Sequence, residues 1–178
     1  MPRMTPEDLA TFLEEPHTGV IATLRQDGMP YTVPIWFLWK PDPSARPFAS
    51  GPLSYPGGAL WLTGTYSRVW CQQLLKDPRA SFCNESGPPV TGHVGFDGTC
   101  EAFERLAFDI WPVSRELAEK YVGRRDPANA EAVEKFFTNM RTEPRLLFKL
   151  TPQVVRAIDM RVYRGKRADR EFQESRGG

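Results

Sequence analysis

The chain has 178 residues, 40% of them hydrophobic and 25% charged, which fits one ordinary domain and excludes global disorder. With 23 Lys and Arg against 22 Asp and Glu the net charge is +1, so charge gives no reason to expect nucleic acid or an anionic membrane as partner. No apolar run is long enough to span a bilayer and no charged-then-apolar leader opens the chain, so a soluble protein is expected.

Thr5 followed by Pro6, Glu7 and Asp8 predicts a capped helix start, and Leu9, Phe12 and Leu13 give it an apolar stripe that ends at Pro16. Residues 18–24 read as a strand, Gln26-Asp27-Gly28 as a hairpin turn, and residues 29–39 as a return strand apolar on both faces. Such a strand is covered on both sides, by a barrel interior on one and a helix, ligand or second subunit on the other. Pro34 cannot donate to a ladder, which makes that position either a simple bulge or edge, or a gap that faces a ligand.

Residues 40–58 carry five prolines and three glycines and read as a long surface arm whose deletion leaves the fold intact. A third strand at 59–65 is followed by a helix through Trp70, Cys71, Leu74 and Leu75, with Ser67 as its cap and Asp77-Pro78 as its end. Strands follow at 79–85 and 90–104, then helices at 114–122 and from Asp126-Pro127 through Met140. The second helix has Ala132, Val133, Phe136, Phe137 and Met140 on its apolar face, and two closing strands are expected at 145–150 and 153–163. Residues 1–163 thus form the domain, and 164–178 a charge-dense tail in which Arg164, Lys166 and Arg167 alternate with acids.

Hydrolase elbows, phosphate-cradling GxxxxGK[ST] loops and GxGxxG fingerprints are absent. Cys71, Cys83 and Cys100 form no CxxC pair and read as reduced thiols, which makes the cytoplasm the expected compartment. The two histidines, His17 and His93, stand at no metal-ligand spacing, and His17 reads as a surface residue at the helix exit. The informative segment is Leu62-Thr63-Gly64-Thr65-Tyr66-Ser67-Arg68, where a strand ends in hydroxyls and a helix begins beside an arginine. Thr63, Thr65 and Ser67 offer neutral donors and Arg68 a charged fork suited to phosphate, although an ordinary capped helix with a surface arginine reads the same way.

Taken in order, Gly-Val-Ile-Ala-Thr-Leu-Arg-Gln-Asp-Gly-Met-Pro, Val-Pro-Ile-Trp-Phe, Leu-Thr-Gly-Thr-Tyr-Ser-Arg and Leu-Leu-Lys-Asp-Pro-Arg-Ala-Ser resemble the pyridoxamine 5′-phosphate oxidase-like superfamily of flavin-binding split barrels, over about residues 5–104 with a weaker echo at 146–159. The resemblance implies a mostly β, α+β fold: an antiparallel split β-barrel of six or seven strands that forms a homodimer, with FMN in a groove between subunits. Val33, Pro34, Ile35 and Trp36 would line the isoalloxazine, and Thr63, Thr65, Ser67 and Arg68 would hold the phosphate, with Trp70 and Gln72 beside them. Two departures stand out. Where family members carry Ser-Arg-Lys this chain has Ser67-Arg68-Val69, or Trp70 if the alignment follows Leu74 and Asp77-Pro78, so an indole able to offer a stacking surface replaces a cation. The Arg-Leu-x-Pro ending of true pyridoxamine phosphate oxidases is also missing, so the resemblance does not reach that enzyme.

The expected function is an FMN-dependent oxidoreductase acting on a small-molecule substrate, with no acid or base identifiable by spacing and no metal. The rivals are an F420-dependent reductase of the same fold and a non-catalytic flavin- or haem-binding protein. Apolar positions at 29–39, with Trp61 and Trp70, exceed what one small barrel can hide, which independently predicts a homodimer.

Overall fold

The computed structural model describes residues 3–50 and 52–161. Helix α1 (Pro6–Glu14) starts where its cap predicts: the Thr5 hydroxyl accepts from the Asp8 N–H at 3.1 Å, and Leu9, Phe12 and Leu13 are buried. Strand β1 (Gly19–Leu24) pairs with β2 (Pro30–Ile35) around a turn in which Gly28 takes φ 81° and the Arg25 N–H donates to the Met29 carbonyl at 2.9 Å.

Residues 29–39 are not one strand. β2 stops at Ile35, Trp36 and Phe37 belong to no strand, and β3 (Leu38–Pro41) pairs with a different neighbour, β6 (Gly58–Thr65). The alternation of side chains continues through the break, so the sequence pattern carries no trace of the change of partner. Trp39 stacks on Phe96 at 5.4 Å, Trp61 lies against Phe103, and Ile35, Phe37 and Trp70 are buried. The single chain therefore hides most of the apolar surface that sequence reasoning assigned to a subunit contact; Met29 and Trp36 stay exposed.

The 40–58 segment is not a structureless arm either. Lys40 and Pro41 belong to β3, and β4 (Phe48–Ser50) and β5 (Leu53–Tyr55) form a hairpin. Tyr55 is 1% exposed and its hydroxyl donates to the Met4 carbonyl at 2.8 Å, while Phe48 and Leu53 pack against the main core. Prolines punctuate this hairpin without keeping it out of the interior.

After α2 (Val69–Leu74) come β7 (Arg79–Ser86) and β8 (Gly92–Glu104). The closing element is one 15-residue strand, β9 (Arg145–Asp159), where two were expected. Pro152 sits inside it, at the register shift opposite Asp97 and Gly98 where the ladder is already interrupted. The expected continuation to residue 163 and the tail at 164–178 lie outside the described residues. All pairings are antiparallel, in the order β2-β1-β7-β8-β9-β6-β3. The outermost strands, β2 and β3, are joined through Trp36 and Phe37 alone, so the sheet curls into a seven-stranded barrel split between them.

Between β8 and β9 lie α3 (Trp111–Ala118) and α4 (Ala130–Met140). The first starts three residues before the expected Ser114, then widens into a π-helical turn, Glu119–Gly123. Asp126 accepts from the Ala128 N–H, and Val133, Phe137 and Met140 form a satellite core with Ala118, while Ala132 faces outward. Among the described residues no helix is long and apolar enough to cross a membrane, and no His, Cys, Asp and Glu side chains gather to hold a metal ion.

A candidate cofactor cleft at the split

β3 covers β6 only from Gly58 to Trp61, so residues 62–65 of β6 have no strand partner on that side, and β2 is likewise an edge. Between these two edges opens a cavity of about 390 Å³. Val33, Pro34, Ile35 and Trp36 line it from β2 and the break, and Thr63 and Thr65 from β6. Arg68 and Trp70 complete the set of sequence-predicted residues brought together, so eight of the ten meet in one cleft. Ser67 and Gln72 do not line it: the Ser67 hydroxyl lies 2.9 Å from that of Thr65, and Gln72 donates outward to the Tyr66 carbonyl. The helix cap is Arg68, not Ser67, and α2 begins at Val69. Of the two readings of Pro34, the edge is realised: it sits on the edge strand β2, where it also lines the cavity.

Trp70 does not present a stacking face. It is 5% exposed, tilted against Phe148 at 5.2 Å, and packed beneath Gly64, where a Cβ would lie 2.5 Å from its ring and 2.3 Å from Cys71 Sγ. Gly64 thus lets α2 lie directly on β6 and makes Trp70 the floor of the cleft. Burial pushes the Cys71 thiol up to about 12, so a thiolate is not available beneath the floor.

The aromatic wall is Trp36. Its ring stacks on Tyr121 with centroids 4.7 Å apart and planes 4° apart, and tilts against Phe136 at 5.7 Å. Leu117, Phe136 and Met140 of the helical pair close this side. The break that aims Trp36 is itself held from the π turn. The Phe37 N–H, which no strand accepts, donates to the Tyr121 hydroxyl at 3.0 Å, and that hydroxyl donates to the His17 carbonyl at 2.8 Å. Lys120, 8% exposed, donates from Nζ to the Leu13 and Phe37 carbonyls at 2.8 and 3.1 Å, and its ammonium lies 4.0 Å from the Phe37 ring centroid. Burial lowers the Lys120 pKa to about 7. His17, expected at the surface, is half-buried with Nε2 2.6 Å from the Ser86 hydroxyl, and burial lowers its pKa.

Two cations line the same cavity. Arg145, opposite Thr65 in the β6–β9 ladder, lines the cleft with Arg68. Sequence reasoning missed Arg145, Tyr121 and Lys120, and nothing local marks them: each reaches the site through a long-range pairing or packing contact. The residues therefore fit a ligand with a planar aromatic part and an anionic end. Of the residue types that hold haem iron, the lining offers Tyr31 and Met140 but neither histidine nor cysteine.

The family described as pyridoxamine 5′-phosphate oxidase matches residues 5–159. No curated protein matches the sequence significantly. Among solved structures, the conserved hypothetical protein Rv2991 from Mycobacterium tuberculosis is 22% identical with a TM-score of 0.58, covering 89% of this chain and 86% of its own. An F420 reductase is 19% identical with a TM-score of 0.54, covering 88% and 98%. The heme storage protein HutZ from Vibrio cholerae is 15% identical with a TM-score of 0.56, covering 86% and 95%. At these identities the structures establish the shared fold, and the family match extends from α1 to the end of β9. The chain therefore belongs to the pyridoxamine 5′-phosphate oxidase family, with the fold of a split barrel.

Proposed function

We propose that the cleft binds FMN and that the protein is an FMN-dependent oxidoreductase acting as a homodimer. The observation that carries this reading is the pairing, in one cavity, of the Trp36 wall with Arg68 and Arg145, between strand edges free to meet a heterocycle's polar rim. Bound FMN would supply the hydride and electron chemistry. The chain's own residues orient the ring against Trp36, exclude water with Leu117 and Phe136, and hold the phosphate from Arg68 and Thr65. The F420 reductase among the structural relatives keeps that deazaflavin as a second reading. A long acidic tail asks for more cations than the two arginines that line the cleft, so FMN is favoured.

Two measurements test this. The freshly purified protein should show the absorbance of oxidised flavin, bleached on adding substrate; a haem Soret band or a colourless protein that ignores FMN would sink the reading. Arg68→Ala should weaken FMN binding roughly tenfold to a hundredfold, the worth of a charge-assisted contact, while riboflavin, which lacks the phosphate, binds both proteins alike. Equal FMN affinity would remove Arg68 from the site. For the dimer, Leu106, 94% exposed beside the half-exposed Phe108, supports a subunit contact. Light scattering at micromolar concentration should give twice the chain mass, and a stable monomer would refute it.

A further inference from the structure

Arg145 is the most restrained cation in the cleft. Its side chain is 14% exposed, Nε donates to the Met140 carbonyl at 3.2 Å, and Nη2 lies 2.5 Å from Oε2 of Glu143. Glu143 is much freer, with 44% of its side chain exposed. It follows α4 and lines a second cavity, about 360 Å³, together with Tyr66, Glu104 and Arg105. Arg145 lines both cavities and so stands between them. Among the described residues neither Arg68 nor Arg105 has an ion-pair partner.

We infer that Glu143 is a built-in stand-in for the ligand's phosphate: it neutralises Arg145 in the free protein and yields it to an incoming phosphate, turning into the second cavity toward Arg105. This rests on the reading of the cleft as a phosphate-bearing flavin site. The asymmetry of the pair makes the exchange feasible. A guanidinium this enclosed is costly to leave without a counter-ion, whereas a carboxylate nearly half in water loses little by moving away. A phosphate can outcompete it, because it carries up to two charges and three acceptor oxygens against the carboxylate's single charge. The chain thereby holds its anion affinity below what two arginines could reach, and favours dianionic phosphate over singly charged carboxylates, which offer Arg145 nothing that Glu143 does not.

The test is Glu143→Gln, a near-isosteric change at a partly exposed position. FMN should bind the variant roughly three- to tenfold more tightly, the effect of removing one competing charge a few ångströms away in a medium of intermediate to high dielectric, and riboflavin should bind both proteins within a factor of two. In an Arg145→Gln background the substitution should have no effect on FMN. FMN binding no tighter to Glu143→Gln than to wild type, or an equal gain for riboflavin, overturns the inference and leaves the flavin reading standing. Inorganic phosphate provides an arm independent of flavin: at matched ionic strength, phosphate in place of chloride should raise the thermal midpoint of Glu143→Gln more than that of wild type. If neither protein binds flavin, the flavin reading fails, and the phosphate arm alone decides, with equal responses overturning the inference.

Discussion

Tyr55→Ala is expected to lower the stability of the fold by about 3–5 kcal/mol, the range for truncating a fully buried aromatic residue. Tyr55 lies on the β4–β5 hairpin, is 1% exposed, and joins a core cluster that includes Met4, Leu60 and Phe96. Its hydroxyl also satisfies the Met4 carbonyl, at the point where the Met4 N–H is held by the Ala157 carbonyl at 3.1 Å. Tyr55→Phe keeps the ring and drops this bond, so it should cost less, about 1–3 kcal/mol for the acceptor left buried without a partner. Urea unfolding measures both. If the alanine variant unfolds at the wild-type midpoint, the hairpin is an ornament after all and the segment can be deleted.

The second large effect is on pH dependence. Lys120 is buried with its ammonium on two backbone carbonyls and an aromatic face, and its pKa is lowered to about 7. Above that pH the folded chain has released a proton that the unfolded chain keeps up to roughly pH 10.4, so unfolding takes up a proton and rising pH favours the fold. The slope approaches about 1.4 kcal/mol per pH unit, and the gain between roughly pH 6 and 8.5 is about 2 kcal/mol. His17, lowered by burial, adds in the same direction below roughly pH 6.5. The groups facing Lys120 are Glu14 and Glu15 at the end of α1, which raise its pKa, and Arg125 after the π turn, which lowers it. Above roughly pH 8.5 the sign reverses. Burial holds Cys71 and Cys100 protonated up to about 12 in the fold, whereas the unfolded chain ionises them near 8.5, so two protons released outweigh the one taken up. Stability should therefore peak between roughly pH 8 and 9. Lys120→Met should flatten the rise below the peak and leave the fall above it, and an unchanged slope in that variant would show that Lys120 does not titrate here.

The elements readable from sequence were those specified by neighbours in the chain. Thr5 caps α1 through Asp8, and Asp27-Gly28 turns β1 into β2, because cap and turn each need only a few adjacent residues. The cleft was legible in the same measure: residues 33–36 and 63–68 carry their hydroxyls, proline and arginine in plain view. What stayed hidden depends on partners distant in sequence. No periodicity marks the change at Trp36 and Phe37 from one side of the barrel to the other, and five prolines obscured a hairpin whose Tyr55 is core. Pro152 divided β9 on paper, whereas the bulge opposite Asp97 accommodates it. Arg145 reaches Thr65 only through strand pairing, and a lysine such as Lys120 reads as solvent-exposed until two carbonyls and Phe37 enclose it.

The two-residue link between β2 and β3 has a further consequence for how the molecule resists self-association. Open sheets end in two separate rims, each a template on which another chain can add a strand. Here the rims are consecutive in the chain and turned toward each other, so neither can peel away without drawing the buried Phe37 out of the core and pulling on the other. The stretch of rim left bare, residues 62–65 of β6 opposite β2, is the cleft itself. A ligand seated there would also act as a plug against strand addition, which makes the ligand-free protein the form most exposed to aggregation.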